Sequence, residues 1–88
     1  MPTEREKLAK KITDTLKDLR KHQGWSIDDL AGFLDVNSLT VRNAFARNTW
    51  SELLATVLKW AKVIPEDLYH DYKKAIEREK IEKRKNSV

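Results

Sequence analysis

The 88-residue chain contains no cysteine and only two glycines and two prolines. Without cysteine there is no disulfide framework, no thiolate nucleophile and no zinc site built on sulfur, a composition that fits a reducing compartment. No Pro-rich or Gly/Ser-rich linker interrupts it, and no internal repeat is visible. Long apolar runs are missing too: nothing approaches the roughly 20 consecutive residues of a membrane span. The segment Thr3-Glu4-Arg5-Glu6-Lys7 is charged where a secretory signal would be apolar. The expectation is a cytoplasmic protein with no membrane partner.

Catalytic signatures are equally scarce. A chain of this length holds a single small core, burying about 60% of the surface its unfolded form exposes, and leaves little room for an occluded cavity. There is no Ser-His-Asp set, Gly-rich phosphate loop or Lys-Ser/Thr nucleotide signature. His22 and His70 stand singly, without metal-ligand spacing. Asp28 and Asp29 are chain neighbours, which on a helix do not face each other. The sequence predicts no enzyme, no cofactor and no metal.

What is abundant is charge. Lys and Arg number 18 against 14 Asp and Glu, a formal balance of +4. Residues 1–24 carry +3, residues 25–70 carry −2 and residues 71–88 carry +3. Within the mildly acidic middle, Asn37 to Ser51 holds Arg42 and Arg47 and no acidic side chain. That window is a candidate surface for a polyanion.

Apolar periodicity is helical nearly throughout, and no strand-like alternation occurs. Leu8, Ile12, Leu16 and Leu19 recur at spacings of four, four and three, predicting a first helix from about residue 4 to about residue 22. Thr3 and Glu6 have capping-box spacing at its start, and Gly24 suits the left-handed residue after its end. Ser26 is the expected N-cap of a short second helix carrying Ile27, Leu30, Ala31 and Leu34, which breaks at Asp35-Val36-Asn37-Ser38. A third short pattern follows in Thr40, Val41, Ala44 and Phe45. Thr49 and Glu52 have capping-box spacing ahead of a fourth helix, with Leu54, Val57, Leu58 and Ala61 inward and Leu53, Trp60 and Ile64 widening the apolar arc. Pro65, Glu66 and Asp67 suit the start of a fifth, with Leu68, Tyr72, Ala75 and Ile76 on one side. The expected fold is all-α with five helices. Residues 1–76 form the domain, and 77–88 a charged helical extension fraying into a disordered tail.

Two short helices joined by a tight turn after a longer one outline a helix-turn-helix. Leu16-x-x-Leu19-Arg20, Gly24-Trp25-Ser26, Leu30-Ala31-x-x-Leu34-x-Val36, Thr40-Val41 and Val63-x-x-Glu66-Asp67-Leu68 together resemble the lambda-repressor-like, or Cro-type, helix-turn-helix family. The chain departs from that pattern in carrying Ile27 where members commonly have Gln, Asp35 where they often have Gly, and Phe45 and Arg47 where Glu and Gly are frequent. Arg20 thereby loses the carboxylate the family pairs with it, and Phe45 is expected to fill that space.

The resemblance implies that the helix from about Ser38 to Arg47 enters the major groove of double-stranded DNA. Carried over residue by residue, it implies base contacts from Ser38, Leu39, Arg42 and Asn43 and backbone contacts from Asn37 and Thr40. Those side chains suit the work: Arg can fork onto guanine, Asn onto adenine, and Leu can lie against a thymine methyl. Arg47, Asn48 and Thr49, and the start of helix two at Ser26, are further candidates for phosphate. The family typically acts as a two-fold dimer, and helix four or five is the expected seam; Trp60, Ile64, Leu68, Tyr72 and Ile76 are the candidate dimer or partner surface. Trp60 is either a seat for the last helix, the favoured reading, or a dimer contact. Trp25 is expected in the core, and Trp50 either in the core or against a partner. The functional expectation is a phage- or prophage-type repressor that occupies operator DNA and can be met by an antirepressor. The alternatives are a protein-interaction module of antitoxin-like kind, docking through Leu68-Tyr72-Ile76, and a non-specific DNA coater working through the basic ends.

Overall fold

In the computed structural model, which describes the backbone of residues 3–86 and the side chains of residues 3–81, the described residues form five helices and no strand. They are α1 (Glu4–Gln23), α2 (Ile27–Leu34), α3 (Ser38–Arg47), α4 (Glu52–Trp60) and α5 (Glu66–Asn86). No helix among them is long and apolar enough to cross a membrane. Of the extension expected over residues 77–88, α5 continues through the charged segment to Asn86, and residues 87–88 lie outside the described residues.

Local chemistry accounts for most boundaries. The Thr3 hydroxyl accepts from the Glu6 N–H, and Gly24 closes α1 at φ 67°. Ser26 and Asp29 cap α2 reciprocally, each side chain accepting from the other's N–H at 3.1 and 3.0 Å. Asp35 takes the left-handed conformation at φ 56° that glycine adopts most readily, and the Val36 N–H then reaches back to the Ala31 carbonyl. One cap differs from expectation. Ser51, not Thr49, accepts from the Leu54 N–H and starts α4, while the Thr49 hydroxyl donates to the Arg47 carbonyl. Spacing alone could not separate two hydroxyl residues two positions apart.

Side chains from all five helices meet in one core. Leu8, Ile12 and Leu16 of α1, Leu30, Ala31 and Leu34 of α2, Val41 and Ala44 of α3, Leu54, Ala55 and Leu58 of α4, and Tyr69, Tyr72, Ala75 and Ile76 of α5 are buried, joined by Trp50 and Ile64 from the loops. Trp25 lies at its edge, half-buried, with its ring 5.1 Å from that of Phe33. At the centre, Trp50 is completely enclosed. Its indole N–H donates to the Thr13 hydroxyl at 2.9 Å, that hydroxyl donates on to the Ala9 carbonyl, and the Trp50 carbonyl accepts from the Tyr72 hydroxyl. One loop residue thus joins α1 to α5. Arg5 leans on the same junction: Tyr72 first, then the Glu79 carboxylate, raise its pKa above the ordinary value, against the lowering effect of partial burial. Arg5 to Glu79 at 3.3 Å and Arg78 to Glu4 at 3.1 Å hold the start of α1 beside the second half of α5.

This packing corrects the expected partner surface. Ile64, Tyr72 and Ile76 are buried and Leu68 is half-buried, so they seat α5 on its own domain and are not displayed to another molecule. Trp60, favoured as that seat, is instead 74% exposed. It lies two turns beyond Leu53, on the side of α4 away from Leu54, Ala55 and Leu58, and Ile64 takes the place expected of it.

Tyr72→Phe strands a buried carbonyl and Thr13→Val a buried indole N–H, so each is expected to lower stability by about 1–3 kcal/mol. Because both act on Trp50, the double variant should lose measurably less or more than the sum. Urea unfolding followed by circular dichroism checks both statements.

Candidate nucleic-acid interface

The acid-free window of the sequence is α3 with the loop that follows it. Val41 and Ala44 anchor the helix in the core, and Phe45 packs against that core with its ring 5.2 Å from Trp50. Arg20, lacking a carboxylate, donates through Nε to the Trp25 carbonyl at 3.2 Å and lies over the Phe45 ring at 5.6 Å. Aromatic packing and a cation–π contact hold Arg20 against Phe45.

Anchoring one side of a helix leaves the other outward. Leu39, 63% exposed, Asn43 and Ala46 follow one another at spacings of four and three and form the outer ridge. Arg42 flanks it on the side of α2, and Thr40 and Arg47 flank it on the other. Of the four residues expected to face bases, Leu39, Arg42 and Asn43 are exposed together, whereas Ser38 is half-buried.

Arg42 has an unexpected partner. Its Nη2 donates to both carboxylate oxygens of Asp28, 3.2 Å to each, while both side chains remain more than half exposed. Read as a helix-start charge, Asp28 does lie in the first turn of α2, but it also holds the guanidinium at the edge of the ridge. A pair this exposed contributes at most about 1 kcal/mol to folding. Its larger effect is on orientation, since the charge is met at one edge only and an Arg has five N–H donors.

The opposite flank is a shallow groove of about 340 Å³ lined by Thr40, Asn43, Arg47, Thr49, Ser51 and Leu54, with Arg5 arriving from α1. Arg5 was invisible as a site residue because 35 positions separate it from Thr40. The groove gathers three of the expected backbone-contacting residues.

The donors left over for a phosphate can be counted. Asn37 uses its side-chain oxygen to cap α3 at the Leu39 N–H, 2.8 Å, and retains its amide donor. Asn48 closes α3 at φ 50°, and its N–H and that of Thr49 both go to the Ala44 carbonyl. Ser26 gives its N–H to the Asp29 carboxylate and accepts from the Asp29 N–H, which leaves its exposed hydroxyl one proton to donate, beside the carboxylates of Asp28 and Asp29. A helix start favours anions only when its own side chains leave it positive.

Among the described residues, no group of three His, Cys, Asp or Glu could hold a metal, and no buried side-chain polar atom lacks a partner. No family model matches the chain, and no curated protein or solved structure matches it either.

Asp28→Asn releases Arg42 and adds a positive charge beside the ridge. The variant should elute from a heparin column at higher salt than Asp71→Asn, which makes the same change in net charge on α5. Equal elution would show that Asp28 acts through net charge alone.

Proposed function

We propose that the protein is a sequence-specific double-stranded DNA-binding protein of the lambda-repressor-like helix-turn-helix kind, acting as a transcriptional repressor by occupying its operator. The observation that carries this reading is the outward ridge of α3. Leu39 and Asn43 stand on a rod anchored from behind by Val41 and Ala44, with Arg42 oriented beside them. Support also comes from the α2–turn–α3 unit, whose Asp35 adopts the left-handed turn such a motif needs.

In this reading α3 lies in the major groove, the only groove wide enough for a helix and the one that displays a distinct pattern for each base pair. Arg42 takes guanine O6 and N7, Asn43 takes adenine N6 and N7, and Leu39 contacts a thymine methyl. Thr40, Arg47, Asn48 and Asn37 hold the sugar-phosphate strands on either side and fix the register. Arg5 joins them along the groove beneath α3. One helix presents few base contacts, so a specific site calls for two copies reading half-sites about one turn, roughly 34 Å, apart. Occupancy then excludes polymerase from the same stretch.

The antitoxin-like alternative depended on Leu68, Tyr72 and Ile76 as a docking helix, and those residues are committed to the chain's own core.

Selection of bound duplexes from a random library should return a two-fold-symmetric motif. On that motif Arg42→Ala and Asn43→Ala should each weaken binding by about 1–3 kcal/mol and relax preference at one base pair, whereas Arg47→Ala should weaken all sequences alike and flatten the salt dependence by about one phosphate. No binding to any duplex at low salt refutes the proposal; binding insensitive to Arg42→Ala and Asn43→Ala would mark a non-specific coater.

A further inference from the structure

The most conspicuous unexplained surface lies on α4. Leu53 is 77% exposed and Trp60 74%, two turns apart on one side of the helix, with Val57 half-buried and Thr56 half-buried between them. Two large apolar side chains in water two turns apart on one side, joined by a half-buried valine, form a continuous apolar stripe of the kind that serves as a contact surface. Among the described residues nothing covers them: α5 packs along the neighbouring side, where Lys80 meets Glu52 at 3.4 Å and the Thr56 and Tyr69 hydroxyls meet at 3.2 Å.

We infer that this stripe is the seam of a homodimer in which α4 pairs antiparallel with α4 of a second copy, Trp60 of each packing against Leu53 of the other. One feature of the surface favours a second copy, given that a two-fold axis at the Thr56–Val57 midpoint would set Leu53 of each copy on Trp60 of the other. The charges along its edge are complementary only in that arrangement. Glu52 and Lys59 occupy the same edge at opposite ends, and a two-fold axis crossing the helix sets Glu52 of one copy opposite Lys59 of the other at both ends. A parallel pairing would separate these charges onto opposite edges. Lys59 is held at the edge by its own neighbours, its ammonium 5.0 Å from the ring centres of both Trp60 and Tyr69.

The size of the stripe sets the strength. Leu53 and Trp60 leave on the order of 300 Å² exposed per copy, given the 150–250 Å² an aromatic side chain offers, well under the roughly 800 Å² per partner of a standard stable complex. The free dimer is therefore weak and transient. The inference deepens the DNA-binding reading, which calls for two copies, by naming the surface that joins them.

The test is made without DNA, so that failure of the seam and failure of DNA binding appear separately. Sedimentation equilibrium of the full chain from about 5 to 500 µM should give a monomer–dimer equilibrium. Leu53→Lys and Trp60→Lys should each weaken it at least tenfold while leaving the circular dichroism spectrum unchanged, since neither side chain is in the core. Because the chain has no cysteine of its own, a mixture of Leu53→Cys and Trp60→Cys chains under mild oxidation should form the mixed disulfide in preference to either symmetric one. A chain monomeric throughout, or a dimer indifferent to Trp60→Lys, overturns the inference and leaves the stripe to a different protein. Preferential symmetric disulfides would overturn the antiparallel arrangement.

Discussion

The structure depends most on the burial of Trp50. It belongs to no helix, yet its side chain is bonded to α1 through Thr13 and its carbonyl to α5 through Tyr72. A loop so held cannot drift, and the end of α3 and the start of α4 leave it in set directions. An indole in a core is stable only when its N–H finds an acceptor. Here the acceptor is a threonine whose own proton is already directed to the Ala9 carbonyl, so every polar atom in the chain of bonds has a partner. Two long helices from opposite ends of the sequence, and α3 and α4 on either side of the loop, share that one anchor.

The candidate interface inherits its rigidity from this core and its chemistry from the surface. Val41 and Ala44 set the rotation of α3, and rotation alone decides that Leu39 and Asn43 face outward. Charge is arranged less simply. Arg42 is the oriented cation of the ridge, but it is oriented by a carboxylate, and any polyanion that approaches it must tolerate Asp28 as well. Such a pairing lowers attraction for phosphate in general while leaving the guanidinium aimed, which favours discrimination between partners over strength of binding. Arg47 and Arg5 border the groove on the other flank, Arg5 with its guanidinium already paired to Glu79.

The apolar residues of α4 and α5 divide along a similar line. Tyr69, Tyr72, Ala75 and Ile76 are enclosed and hold the last helix in place, whereas Leu53 and Trp60, no less apolar, remain in water. Six of the nine residues of α4 are apolar and spread around its axis, so they cannot all be turned to one inward face. The surplus on α4 is thus a geometric property of the chain, and it gives the molecule a second surface beside α3.

From the amino-acid order alone, the five helices, the left-handed residues at Gly24 and Asp35 and the acid-free character of α3 were all legible. Each is a local matter, governed by apolar spacing, caps and backbone preference within a few residues. The apolar periodicity also implied that α3 would have an inner and an outer side. Tertiary packing decided the rest: that Trp50 lies inside and Trp60 outside, that Ile64, Tyr72 and Ile76 serve the core and not a partner, that Asp28 clasps Arg42, and that Arg5 borders a groove with Thr40. These are contacts between distant segments, or choices among equally apolar residues on one helix. Spacing along a chain states which residues share a side; only the packing of other helices determines which side is covered.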